Sequence, residues 1–263
     1  MKPLKIDSGT FTNSYEFSII SLVNNWDHYQ LMLDSFEKKG FNEESSEFLY
    51  LDNLTSNNWD GFSGLNHALN LAKGKYIILS HQDIRLDFDD INDLRFLIKN
   101  LDKHDPFWAV LGNAGGSVDL NQKFIRITDP SGYNQKYGSL PAKVEALDEN
   151  FILIKASSRV GFSNDLKGFH FYGLDLCQQA RYRGYSCYVI PFHLRHLSSG
   201  VKDDNFYYSK KILVKNHRIK CKTRFIRLTT TRICLSSNSI VGYLANQKFI
   251  LFFLRKTKLY KLF

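Results

Sequence analysis

Lys75–Asp87 (Lys-Tyr-Ile-Ile-Leu-Ser-His-Gln-Asp-Ile-Arg-Leu-Asp) is the stretch whose residue types point most directly to chemistry. An apolar run of strand type stops abruptly in His81, Gln82 and Asp83. Polar groups at the carboxyl end of a buried strand stand where open α/β sheets bind ligands. A carboxylate there is a hard oxygen ligand for Mg²⁺ or Mn²⁺, and through the ion for phosphates. The same acid would also serve simply to end a strand or cap a turn. Two earlier runs end in the same way, in Asn24-Asn25 and Asp52-Asn53. Asp148, in an apolar region over 144–155, is either a site acid or an ordinary surface acid.

The elements that must position these groups are legible from periodicity. Glu16–Asn25 reads as a first strand and Trp26–Lys39 as a helix closed by Gly40. Glu47–Asn53 is a second strand. A helix over Phe62–Lys73, with Phe62, Leu65, Leu69 and Ala72 on one face, leads to the strand at 75–80. Strand, helix, strand, helix, strand is the pattern of a parallel sheet with crossover helices. The three polar strand ends then share one edge and form a pocket. Residues 87–103 read as an amphipathic helix with acids in its first turn, and 107–112 as another strand. Residues 117–143 read as loop and hairpin, with a turn at Asp129-Pro130-Ser131-Gly132.

Charge divides the chain. Residues 1–204 carry 21 Lys/Arg and 26 Asp/Glu, whereas 205–263 carry 14 Lys/Arg and no acid. The basic tail seeks phosphate, on a membrane surface or on nucleic acid. Its ridge Phe249–Leu254, followed by Arg255, Lys256, Lys258 and Lys261, suits a helix lying in a membrane interface. The alternative is helices packed on the first domain. Cys177, Cys187, Cys221 and Cys234 have no metal-site spacing and read as reduced thiols. Met1–Ser8 lacks an apolar signal core, and Ile233–Gln247 is too polar to span a bilayer. The chain therefore reads as cytoplasmic, with its tail allowing peripheral contact at the inner face of the cell membrane. No Gly-x-Gly-x-x-Gly follows the first strand and no Gly-x-x-x-x-Gly-Lys-Ser/Thr occurs, which argues against nicotinamide dehydrogenases and P-loop hydrolases.

A later stretch brings these pieces together. Gly168-Phe169-His170-Phe171-Tyr172-Gly173-Leu174-Asp175-Leu176-Cys177 precedes Gly184-Tyr185 and then His196-Leu197-Ser198-Ser199-Gly200. With Ser80-His81-Gln82-Asp83, Asn24/Asn25, Asp52-Asn53 and Asn66, it resembles a bacterial branch of the family-2-like glycosyltransferases of GT-A fold. The resemblance covers about 15–200. It implies an α/β, Rossmann-like, mostly parallel sheet flanked by helices over 15–204, leaving 205–263 as a basic, mostly helical appendage. It further implies a nucleotide-sugar site at Asn24, Asp52, Asn53, Asn66, His81 and Gln82, with Asp52 toward the base or ribose. Asp83 and His196 become metal ligands for Mn²⁺ or Mg²⁺. The usual first Asp of the metal motif is His81 here. Commoner family-2 enzymes have Glu-Asp at the positions of Tyr172 and Gly173, so the catalytic base falls to Asp175 or Asp148.

The expected activity is inverting, metal-dependent transfer of a hexosyl unit from a nucleotide-diphosphate sugar to a glycan or lipid-linked acceptor, in cell-surface polysaccharide synthesis. The alternatives are a nucleic-acid-binding protein using the basic tail and an inactive, sugar-binding GT-A fold. A nucleotidyltransferase shares the metal logic but lacks its Gly-rich, Lys-bearing loop here. No nucleic-acid partner is expected, because 1–204 is acidic and no RNA-binding motif is present.

Overall fold

A computed structural model describes residues 13–200 and 202–262. The reading of Met1–Ser8 lies outside the described residues. The chain divides into two compact units, Met1–Ser209 and Lys210–Phe263.

The first unit starts with the expected alternation: β1 (Tyr15–Val23), α1 (Trp26–Lys38), β2 (Ser46–Asp52), α2 (Ser63–Leu71) and β3 (Gly74–Ser80). β1 pairs in parallel with both neighbours, Val23 lying opposite Asp52 and Ile20 opposite Leu79. The polar ends of the three strands therefore do share one edge. The local reasons are visible in the side chains. Asn25 Oδ1 accepts from His28 N at 3.0 Å and starts α1, which buries Tyr29, Met32 and Phe36 at helical spacing. The Asp60 carboxylate accepts from Phe62 N and Ser63 N at 2.9 and 2.7 Å, which sets the start of α2.

The chain continues through β4 (Ile84–Arg85), α3 (Ile91–His104), β5 (Trp108–Gly112), β6 (Ala114–Gly116), β7 (Lys123–Asp129) and β8 (Gly132–Tyr137). Next come β9 (Ala142–Val144), β10 (Ala146–Leu147), β11 (Phe151–Lys155), α4 (Tyr172–Tyr182), β12 (Ser186–Val189) and β13 (Leu194–His196). α3 carries a reciprocal capping box between Asp90 and Asp93, so the acids at its start serve the helix. The main sheet runs β2-β1-β3-β11-β5-β12-β9. It is parallel through β2, β1 and β3, while β11 lies antiparallel between β3 and β5. A second sheet runs β10-β6-β7-β13-β4, with β8 paired to β7 across the expected turn. Phe17, Phe36, Phe41, Tyr76 and Trp108 fill the core beneath.

The second unit contains most of α5 (Asp204–Lys220), a hairpin of β14 (Arg224–Arg227) and β15 (Arg232–Leu235), α6 (Ser239–Ala245) and α7 (Lys248–Thr257). The hairpin was not anticipated in a tail read as mostly helical. Among the described residues no helix is long and apolar enough to cross a membrane.

Candidate active site

A cavity of about 720 Å³ opens at the carboxyl ends of β1 and β3, large enough for a sugar nucleotide. His81 and Asp83 enter it from the end of β3. His196 lies 113 residues further along the chain and arrives through strand pairing. β13 runs antiparallel to β4 with His196 opposite Ile84, and Leu197 N donates to Asp83 O at 3.2 Å. His196 Nε2 thereby stands 3.4 Å from Asp83 Oδ1. The ligand atoms of His81, Asp83 and His196 all lie within 4.8 Å of one another.

Two imidazoles and a carboxylate fit a divalent ion, and the groups around them support that use. Tyr172 OH donates to Glu149 O at 3.2 Å. Its oxygen is then the acceptor for His81 Nε2–H, 3.0 Å away. That pair of bonds leaves the Nδ1 lone pair of His81 free, the arrangement that metal-binding histidines use. Burial and the nearby His196 lower the His81 pKa, which keeps the ring neutral. Burial acts to raise the Asp83 carboxyl, but hydrogen bonds from His196 and Ser198 outweigh it and hold the group well below the usual carboxylate range. A group that stays ionised between two imidazoles is a ready cation ligand.

Asp148 and Glu149 line the same cavity. Asn150 N and Nδ2 donate to Asp148 Oδ1 at 3.1 and 2.5 Å, fixing that carboxylate. Glu149 Oε1 accepts from Gly173 N at 3.3 Å, at the start of α4. Burial first, then the Asp148 charge, push the Glu149 carboxyl up to about 8. Glu149 escaped the sequence reading, whose only signal for it was an acid adjacent to Asp148. A Cβ on Gly173 would meet Leu147 O at 2.3 Å. An acid at 173 therefore has no room, and the carboxylate at the α4 start comes from Glu149 instead.

Asp175 is elsewhere. It is fully buried, accepting from Ser163 N at 2.7 Å and Ser163 Oγ at 2.6 Å, and it is not among the residues lining the cavity. The resemblance put a candidate base at Asp175; here its carboxylate is held against the 162–164 segment and does not line the cavity. Asn66 grips the same segment, donating to Phe162 O at 2.9 Å and accepting from Phe162 N at 2.8 Å. Phe162 in turn packs edge-on against Tyr172, ring centroids 6.0 Å apart. Asn66 and Asp175 thus hold the ring that holds His81.

The remaining expected residues fall in two groups. Asn24, Asn53 and Gln82 line the cavity. Gln82 ties the ends of β3 and β1 together, accepting from Asn24 N and Asn25 N at 2.9 Å and donating to Asn24 Oδ1. Asn53 exchanges two bonds with Trp59, bracing the loop after β2. Asp52 is exposed, accepts from Leu54 N at 2.9 Å, and is not among the lining residues. His170 also lines the cavity. His193 is buried, stacked on Phe88 at 3.7 Å and 2.9 Å from Thr128 Oγ1, a packing role.

No family model matches the chain. A Fuscovulum blasticum protein, ATP synthase subunits region ORF 6, is 36% identical over 224 residues, which are 83% of this chain and 90% of that protein. The chain belongs to that protein's family. The ORF 6 name states no activity. Among solved structures, S. aureus TarS 1-349 in complex with UDP-GlcNAc is similar at 14% identity and a TM-score of 0.50, over 76% of this chain and 66% of that one. The same protein in complex with UDP gives 13% identity and a TM-score of 0.51, over 77% and 65%. This ORF 6 family chain spans just under two thirds of that structure's length. The likeness is one of fold, and the fold is GT-A, as the sequence resemblance implied.

Proposed function

We propose that the chain is an inverting glycosyltransferase that moves a sugar from a nucleotide-diphosphate sugar to a hydroxyl of a glycan or lipid-linked glycan. One observation carries the proposal: His81, Asp83 and His196 converge in the cavity that Asp148 and Glu149 also line. A divalent cation on that triad would neutralise the leaving diphosphate as a Lewis acid. Two imidazoles favour a first-row transition ion such as Mn²⁺ over Mg²⁺, which prefers all-oxygen sites. The acceptor oxygen attacks the anomeric carbon while the bond to the diphosphate breaks. Glu149 takes the hydroxyl proton, and the nucleoside diphosphate leaves on the opposite face, so configuration inverts. A carboxyl titrating near working pH suits that exchange. In this reading Asn24, Asn53 and Gln82, which line the cavity, meet the nucleotide. UDP-GlcNAc in TarS makes uridine nucleotides the first donors to try.

The test is a donor screen for Mn²⁺-dependent turnover of UDP-, GDP- and dTDP-sugars, with Asp83→Asn as the control. Turnover that requires Mn²⁺ and Asp83 supports the reading; no metal-dependent turnover of any donor overturns it. The buried Asp175 and the glycine at 173 favour one second reading, a GT-A fold that binds sugar nucleotides without turning them over. Donor binding with no product would establish that one.

A further inference from the structure

The second unit has a charge problem that it does not solve internally. Lys210–Phe263 carries 14 Lys/Arg and no Asp or Glu. A compact body of one sign is destabilised by self-repulsion, which contact with a polyanion relieves. The choice of polyanion is written on α6 and α7. Ile240, Tyr243 and Leu244 follow i, i+3, i+4 spacing on α6, and Phe249, Phe252 and Phe253 do so on α7. These six side chains are between 48% and 78% exposed. The other side of α7 turns inward, where Leu251 and Leu254 line an apolar slot with Phe225 of the hairpin. Arg227, Arg232 and Arg255 line the same slot, whose volume is about 320 Å³. Arg255 and Lys256 also sit 5.4 and 5.8 Å from the Phe252 ring, so cations border the aromatic face directly.

We propose that this unit docks in the interface of an anionic phospholipid membrane. The faces of α6 and α7 enter the headgroup–acyl boundary, and lipid phosphates lie against the arginines and lysines around them. Nucleic acid would satisfy the charge but not the aliphatic Ile240 and Leu244, which neither stack on bases nor bond to phosphate. An interfacial helix uses both components, an apolar face and flanking cations. Both helices are short, with 7 and 10 residues, so they lie on a bilayer and do not cross it. The first unit, with its excess of acids, adds no attraction to such a surface. The inference stands apart from the transfer reaction and fails or survives independently of it.

The experiment is vesicle flotation of the full chain. Wild type is compared with Phe249→Ser/Phe252→Ser/Phe253→Ser and, separately, Arg227→Gln/Arg232→Gln/Arg255→Gln. Vesicles are phosphatidylcholine alone or mixed with phosphatidylglycerol, and circular dichroism checks each variant's fold. The serine residues replace exposed side chains and leave the inward leucines in place. Expected are binding to the mixed vesicles, little to the neutral ones, and a loss of about tenfold or more in each variant. Unchanged binding of the serine variant overturns the proposal, as does equal binding to neutral vesicles. Release of vesicle-bound wild type by duplex DNA, with the serine variant holding DNA equally well, reassigns the unit to nucleic acid. A wild-type dimer that the serine variant breaks, with no vesicle binding by either, reassigns the face to self-association.

Discussion

Tyr172 links the two halves of the site chemistry. Its hydroxyl fixes the tautomer of His81 while its own proton goes to Glu149 O. Replacing Tyr172 by Phe is expected to lower Mn²⁺ affinity about 10- to 100-fold, read by titration calorimetry, with the fold intact. Glu149 carries the pH dependence of the site. Glu149→Gln should cost about 10²–10⁴ in turnover if this carboxylate is the base, and the wild-type rate should rise with pH toward about 8 as the group deprotonates. Asp148→Asn removes a charge that raises Glu149, so it should move that rise to lower pH. Stability runs the other way. The folded protein keeps a proton on Glu149 up to about 8, whereas the unfolded chain releases it near 4.5. The resulting stabilisation is complete below that lower value and is lost as pH rises through the higher one. Melting temperature should fall over this window in the wild type and flatten in Glu149→Gln.

At the scale of elements, the 162–164 segment depends on two polar clamps, one from α2 and one from α4. Asn66→Ala strands Phe162 N and O, and is expected to destabilise by about 2–4 kcal/mol in urea melts. Because Phe162 backs Tyr172, Mn²⁺ affinity should weaken as well. Gly173→Ala should destabilise through the close approach to Leu147 O. These positions show how far the sequence could be read. The strands β1 to β3 and their polar ends were legible because apolar runs bounded by polar pairs have few other interpretations. The role of Asp175 was not, because an acid in the first turn of a helix is favoured by the helix dipole whether it faces solvent, a substrate or the core. Only the rotation of α4 against Ser163 chose the core.

At the scale of the whole molecule, the two units answer to different variables. Mn²⁺ with a nucleoside diphosphate should raise the melting temperature of Met1–Ser209, by mass action on a site that the unfolded chain lacks. Added salt should instead stabilise Lys210–Phe263, whose one-signed charge it screens. Scanning calorimetry with each addition varied separately checks both, and a single transition moved equally by either would contradict the division.

The sequence by itself determined the strand-helix alternation, the edge on which Asn24, Asn53, His81, Gln82 and Asp83 meet, and the contrast in charge between the two ends of the chain. These follow from local periodicity and composition, which need no knowledge of distant contacts. Tertiary structure decided which distant groups join that edge. Pairing of β13 with β4 brings His196 to Asp83. The missing Cβ at Gly173 leaves the start of α4 to Glu149, and burial beside Asp148 then sets the titration of that carboxyl. Each depends on strand register, helix rotation or desolvation, and those are properties of the packed chain that no window of sequence contains.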